Sequence, residues 1–197
     1  MRKRDAGMFA AGVLTAVLVP LVVLAFGWTS FAASESPSGL ERALAPWARE
    51  RSIARHAGTL PAPLPTDAAA LATGLDHYRE NCVACHGAPG VPGAELSKGL
   101  NPPAPSLDQP RTQRRSDSIL YWIVKNGIRM TGMPAFGPTH DDAELLKIVA
   151  LVRHLPNLTE TEAQQLRAAT KQQAHHHDRA IPAPSEPVKP HSHVHPH

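Results

Sequence analysis

Hydrophobic positions along the 197-residue chain form one long uninterrupted block and then a series of shorter periodic stretches. From Ala6 to Ser34 no residue is charged. A bilayer core requires about 20 apolar residues in a helix, so this block predicts a membrane-spanning helix. Pro20 lies inside it, which membrane helices tolerate, and Trp28 and Phe31 stand at its far end, where amphipathic rings favour the interface. A cleaved signal peptide is the competing reading, because SFAAS offers small residues to a peptidase. The apolar stretch exceeds the roughly 7–15 residues usual for a signal core, which favours an uncleaved anchor. Arg2, Lys3 and Arg4 precede the block and Arg42, Arg49 and Arg51 follow it, so charge asymmetry alone is a weak guide to orientation.

Beyond residue 65 the pattern changes to a helical period. Thr66 and Asp67 form a capping pair, and Leu71, Leu75, Tyr78 and Cys82 then define one face of a helix. A Gly- and Pro-rich loop runs from Gly87 to Gln109. Ser116 or Asp117 caps a second helix with the stripe Ile119, Leu120, Ile123 and Val124, ended by Asn126-Gly127 in a left-handed cap. Asp141-Asp142 open a third, with the stripe Leu145, Ile148, Val149, Val152 and Leu155, stopped by Pro156. Thr159 and Glu162 make a capping box for a fourth, more polar helix. With no period-2 alternation and no internal repeat, the pattern predicts an all-α fold of three to four helices behind an N-terminal transmembrane helix.

Four segments follow: residues 1–33, a short cytoplasmic stub and anchor; 34–65, a linker; 66–160, the compact domain; and 161–197, a polar helix and a disordered His-rich tail. The linker opens at Ser36-Pro37-Ser38-Gly39 and closes with PAPLP, a stiff polyproline-like spacer. Between them GLERALAPWARERSIARHA predicts short helices with Pro46 at a first-turn position. Trp47 with Arg49, Arg51 and Arg55 fits a lipid headgroup layer; a solvated tether helix fits the same residues.

Composition adds mainly exclusions. The formal net charge is +3, but between Asp67 and Thr170 eleven acidic residues face ten Lys and Arg, so the domain is close to neutral. No basic stripe with interleaved aromatics exists, which argues against nucleic-acid binding. The tail holds seven of the twelve histidines, at 175, 176, 177, 191, 193, 195 and 197. Imidazoles suit divalent Cu, Zn or Ni, so such ions are a candidate partner of the tail; a solvated tail with incidental affinity is the plainer reading.

The chemistry is concentrated in ENCVACHGAPG, which contains the only two cysteines, Cys82 and Cys85, followed by His86. Positions i, i+3 and i+4 project from one side of a helical turn. Two thiols placed so can form thioethers to one porphyrin, with the imidazole delivered beneath the iron. A redox dithiol needs no following histidine and sits on a βαβ pattern, which is absent. A closed zinc site needs four ligands, and a structural disulfide would leave a thin core. A covalent haem c, one per chain, is the reading that uses all three residues. Met133, on a loop held open by Gly132 and Pro134, is the candidate sixth ligand, with Met130 its nearest competitor.

C-x-x-C-H-G followed some fifty residues later by NGI-x-x-TGMPAF resembles a class I c-type cytochrome. It is particularly similar to the single-haem domains of membrane-anchored bacterial carriers and of the cytochrome c subunits of haem–copper oxidases. The resemblance covers about residues 67–156. It implies thioethers at Cys82 and Cys85, axial ligation by His86 and Met133, and a proline carbonyl that accepts from His86, best matched by Pro105, with Pro102 and Pro103 of the run NPPAPSL as competing positions. It also implies that Trp122, Ile123 and Arg129 line the haem or meet its propionates, although helix core is the plain reading of the first two. It further implies a single-pass protein of the bacterial inner membrane, its haem domain in the periplasm. The expected function is a non-enzymatic electron carrier, or a subunit of a larger oxidoreductase, serving membrane or periplasmic redox proteins. A haem-based sensor of small ligands is the alternative, and it requires an open or labile sixth position.

Overall fold

The computed structural model describes residues 3–179, with no side chain described from 174 onward. The expectations of a disordered tail and of metal binding by its histidines therefore lie outside the described residues. The chain divides into two compact units, the first ending at Arg42 and the second beginning at Ala43.

In the first unit α1 spans Lys3–Ala25. Its stretch Gly7–Ala25 has a mean hydropathy of 2.5 and is long and apolar enough to cross a membrane. The helix ends sooner than the uncharged block does. Gly27 takes φ +67°, and its N–H bonds to the Leu24 carbonyl while Trp28 N–H bonds to that of Val23, both at 3.1 Å. A glycine with positive φ closing the last carbonyls is a helix stop, so residues 26–34 are irregular despite their apolar character.

The following helix, α2 (Gly39–His56), corrects the linker expectation. It is one continuous helix, and Pro46 lies in its interior rather than in a first turn. Within the second unit α2 is not a free tether. Ile53 and the following Ala57 are buried, and Glu50 forms an ion pair of 2.8 Å with Arg115, sixty-five positions along the chain. Leu60 and Leu64, on either side of the first prolines of PAPLP, also pack against a core cluster.

The remaining elements are α3 (Ala68–Asn81), α4 (Val83–His86), α5 (Glu95–Lys98), α6 (Pro110–Gln113), α7 (Asp117–Asn126), α8 (Asp142–His154), a 3-10 turn (Leu155–Asn157) and α9 (Glu160–Arg179). No strand occurs among the described residues, only an isolated bridge between Ala88 and Val91. The fold is all-α. The caps follow from side-chain chemistry: Asp67 accepts from Ala70 N–H, Ser116 from Ile119 N–H, and Asp141 forms a reciprocal box with Glu144. Thr159 and Glu162 exchange bonds at the start of α9.

Helix α8 is the centre. Residues 145, 146 and 148–152 are all buried, more than the one-sided stripe the sequence suggests, because neighbours cover it on more than one side. One face joins Leu120, Tyr121 and Phe136 through Leu145, Ile148, Val149 and Val152. The other, through Leu151 and the following Leu155, joins Leu75, Tyr78, Val83 and Leu166. Contact with α3 is close at Gly74, where a Cβ would stand 2.5 Å from the Lys147 carbonyl oxygen and 3.1 Å from Leu151 Cβ. Only hydrogen fits there without displacing backbone. Gly74→Ala should therefore destabilise the domain by about 1–3 kcal/mol, the usual cost of overpacking, despite alanine's better helix propensity. Denaturant unfolding measures this, and an unchanged midpoint would contradict the close crossing.

Candidate cofactor site

Cys82 is where α3 stops. It takes φ −112°, ends α3 as C-cap and starts the single turn α4. The motif is thus carried on its own turn rather than on the last turn of α3, as helical periodicity had suggested. Within it His86 N–H bonds to the Cys82 carbonyl at 2.9 Å, which places the two thiols and the imidazole at helical spacing. The turn is held from below by the core. Tyr78 is fully buried and donates its hydroxyl to the Gly87 carbonyl at 2.8 Å. Burial, with the charges of Cys82 and Asp108, raises the Tyr78 pKa, so the phenol stays a donor. Gly87 has φ +68° and runs tight against the Val91 carbonyl, a place that excludes any side chain.

Cys82, Cys85, His86, Pro105 and Met133 line one cavity of about 270 Å³. Its other walls are chiefly apolar and include Leu100, Leu107, Ile123, Val124, Ile128 and Phe136. His86 Nδ1 lies 2.7 Å from the Pro105 carbonyl oxygen. A carbonyl only accepts, so Nδ1 carries the proton and Nε2 is left as the lone-pair nitrogen. Burial lowers the His86 pKa, partly offset by that bond, which favours the neutral imidazole that a metal requires.

The thiols are not poised for dithiol chemistry. Burial, with a smaller contribution from Cys85, pushes Cys82 up to about 12, and burial also raises Cys85. A redox C-x-x-C instead depends on a depressed thiol pKa. Among the described residues no three His, Cys, Asp or Glu side chains gather as a metal cluster. The donor set therefore fits a group attached through two thiols and bound by one imidazole. That is a haem c, and the apolar walls suit its porphyrin.

The methionine loop is fixed by backbone bonds. Ile128 N–H donates to the Met133 carbonyl at 3.2 Å and Met133 N–H to Thr131 Oγ1 at 3.1 Å. Thr131 in turn donates to the Ile128 carbonyl at 2.7 Å. Phe136 and Gly137 N–H bond back to Val124 and Lys125 of α7. Gly127, at φ +65°, makes this fold-back possible, since a Cβ there would stand 2.7 Å from the Met133 carbonyl oxygen. Met130, the competing methionine, is 81% exposed and does not line the cavity. The difference between the two thioethers is plain in position.

Two residues implied by the resemblance fall elsewhere. Trp122 does not line the cavity; its ring is 6.4 Å from that of His56 on α2. On α7 the cavity takes Leu120, Ile123 and Val124, while Tyr121 and Lys125 bind Asp142, and position 122 turns away from both groups at about 100° per residue. Arg129 is exposed and also off the cavity. The cationic lining is instead Arg49, Arg111 and Arg115. The segment carrying the last two is tied to α8: Gln113 donates to the Leu107 and Val152 carbonyls, and Arg153 binds Asp117 at 2.6 Å and the Gln113 and Arg115 carbonyls.

An all-helical domain with these thiols, this imidazole and this cavity is of the class I c-type cytochrome kind. Residues 69–152 match the family model described as Cytochrome C oxidase, cbb3-type, subunit III, a match that indicates a class I c-type cytochrome haem domain in this segment. No curated protein matches the chain. The match supports a c-type cytochrome electron carrier and implies covalently bound haem c.

Gly127→Ala should loosen the methionine loop without removing any cavity-lining side chain. The expected result is faster amide exchange at Met133 and Phe136 and a destabilisation of about 1 kcal/mol or more, because a non-glycine residue at positive φ is strained. Exchange followed by mass spectrometry reads this directly; unchanged protection would contradict the fold-back.

Proposed function

We propose that the chain is a membrane-anchored monohaem c-type cytochrome, its iron bound axially by His86 and Met133, that passes single electrons in a periplasmic respiratory chain. The observation that carries this reading is the convergence of Cys82, Cys85, His86 and Met133 on one apolar cavity, with His86 Nδ1 bonded to Pro105. When bound, the haem supplies reversible one-electron Fe(III)/Fe(II) chemistry. The chain's residues do the rest. His86 is held in one tautomer by Pro105, which fixes its ring and raises its basicity as a ligand. Met133 accepts from Ile128 N–H and donates its own N–H to Thr131 Oγ1, so a thioether on this loop is presented without rearrangement. Apolar walls restrict water, and a methionine ligand favours the reduced state relative to a second histidine.

The helix α1 supports membrane attachment, and the arrangement of anchor followed by haem domain suits a carrier kept near its redox partners. The family's printed description, an oxidase subunit III, supports service either as such a subunit or as a separate carrier. The periplasmic side is supported by the covalent haem, whose attachment in proteins of this class follows export.

The test has two parts. The intact mass of the matured protein should exceed that of the polypeptide by one haem, and Cys82→Ser with Cys85→Ser should abolish that increment. Met133→His should then lower the reduction potential by on the order of 0.1 V, whereas Met130→His should leave it nearly unchanged. A Met130→His effect as large as that of Met133→His would overturn the ligand assignment.

A further inference from the structure

Helix α2 lies outside the matched segment 69–152, yet it contributes a side chain to the cavity. Arg49 lines it together with Arg111 and Arg115. These three are the cations among its lining residues, apart from the ionisable His86. Glu50, the next residue on α2, contacts two of them: Arg115 at 2.8 Å and Arg49 at 3.5 Å. The bond from Arg115, more than any other influence, lowers the Glu50 pKa, so the carboxylate is charged at neutral pH. The neighbouring turns fix α2 in place. Ile53 is 3% and Ala57 6% exposed, and the His56 ring meets that of Trp122.

The charges have a specific deficit. Three guanidinium groups with one carboxylate leave two positive charges at an otherwise apolar cavity. A haem carries two carboxylates on its edge, and guanidinium is the side chain best shaped to bind carboxylate in paired hydrogen bonds. We propose that α2 completes the cofactor site: Arg49, with Arg111 and Arg115, binds the haem carboxylates, and Glu50 holds Arg49 and Arg115 at the spacing that does so. This rests on the haem reading given above. It assigns one of the carboxylate contacts, that of Arg49, to an element outside the matched segment and takes the role away from Arg129. It also makes the reduction potential depend on the docking of the helix that follows the apolar segment. A cation close to the haem in a poorly solvated place favours Fe(II) over Fe(III), while an exposed one is screened.

Full-length holoprotein in detergent is titrated spectroelectrochemically as wild type, Arg49→Gln, Glu50→Gln and Arg129→Gln. Arg49→Gln should shift the equilibrium toward the oxidised form by about three- to tenfold, tenfold being 59 mV for one electron. Arg129→Gln should shift it less than twofold. Glu50→Gln keeps a side-chain oxygen that accepts from Arg49 and Arg115 and removes only the negative charge, so it should shift the equilibrium the opposite way from Arg49→Gln. A merely structural role for α2 would admit water to the haem in both α2 variants and lower the potential in both, and that result overturns the proposal. Equal effects of Arg49→Gln and Arg129→Gln overturn it as well. Should Arg49→Gln fail to retain haem, Arg49→Lys decides: a potential within twofold of wild type supports the charge contact, and a larger fall overturns it. A wild-type protein with no haem spectrum defeats the underlying reading instead, so the two failures are distinguishable.

Discussion

The close crossing of α3 and α8 is the constraint on which the domain depends. At Gly74 the backbone of one helix meets the Lys147 carbonyl of the other with no room for a methyl group. That proximity lets α8 be buried on two faces at once, each the centre of a separate core cluster. One cluster carries Tyr78 and Val83, and through the Tyr78–Gly87 bond it fixes the turn that presents Cys85 and His86. The other supplies Ile148 and Val152 to the cavity wall and supports Phe136 beyond the methionine loop. A single helix thus sets the separation between the imidazole and the thioether. Spreading the crossing would widen the cavity and shift both.

The polar supports of the site are equally economical. One carbonyl, that of Pro105, settles which nitrogen of His86 keeps its proton. One hydroxyl, that of Thr131, links Ile128 to Met133. One guanidinium, that of Arg153, gathers the loop between α6 and α7 onto α8. Each fixes its partner through one short, directional bond, and that of Arg153 to Asp117 is charge-assisted. The cavity can therefore remain largely apolar while its rim is firmly held.

Much of this was legible in the sequence because it is local. Caps at Asp67, Ser116 and Asp141, the glycine after α7 and the stop at Pro156 depend on a few neighbouring residues, and the C-x-x-C-H spacing carries its own geometry. What could not be read depends on contacts between distant segments. The Glu50–Arg115 pair joins residues sixty-five positions apart, so α2 looked like a tether, and Pro46 looked like a helix start rather than an interior residue. Trp122 and Arg129 illustrate the same limit. A helix face can be inferred from periodicity, but which face meets the cavity depends on where α8 and α2 lie. The glycine at 74 had no sequence signal beyond being a glycine within a helix, which is itself a hint of close packing.

The central claim is a haem whose iron is closed on both sides by protein ligands, which leaves electron transfer as its work. The measurement that bears on it most directly is the absorption spectrum of the ferrous full-length protein before and after addition of carbon monoxide. With Met133 held as described, the spectrum should not change over minutes. A rapid and complete conversion to a CO adduct would contradict the account and would make the protein a binder of small ligands.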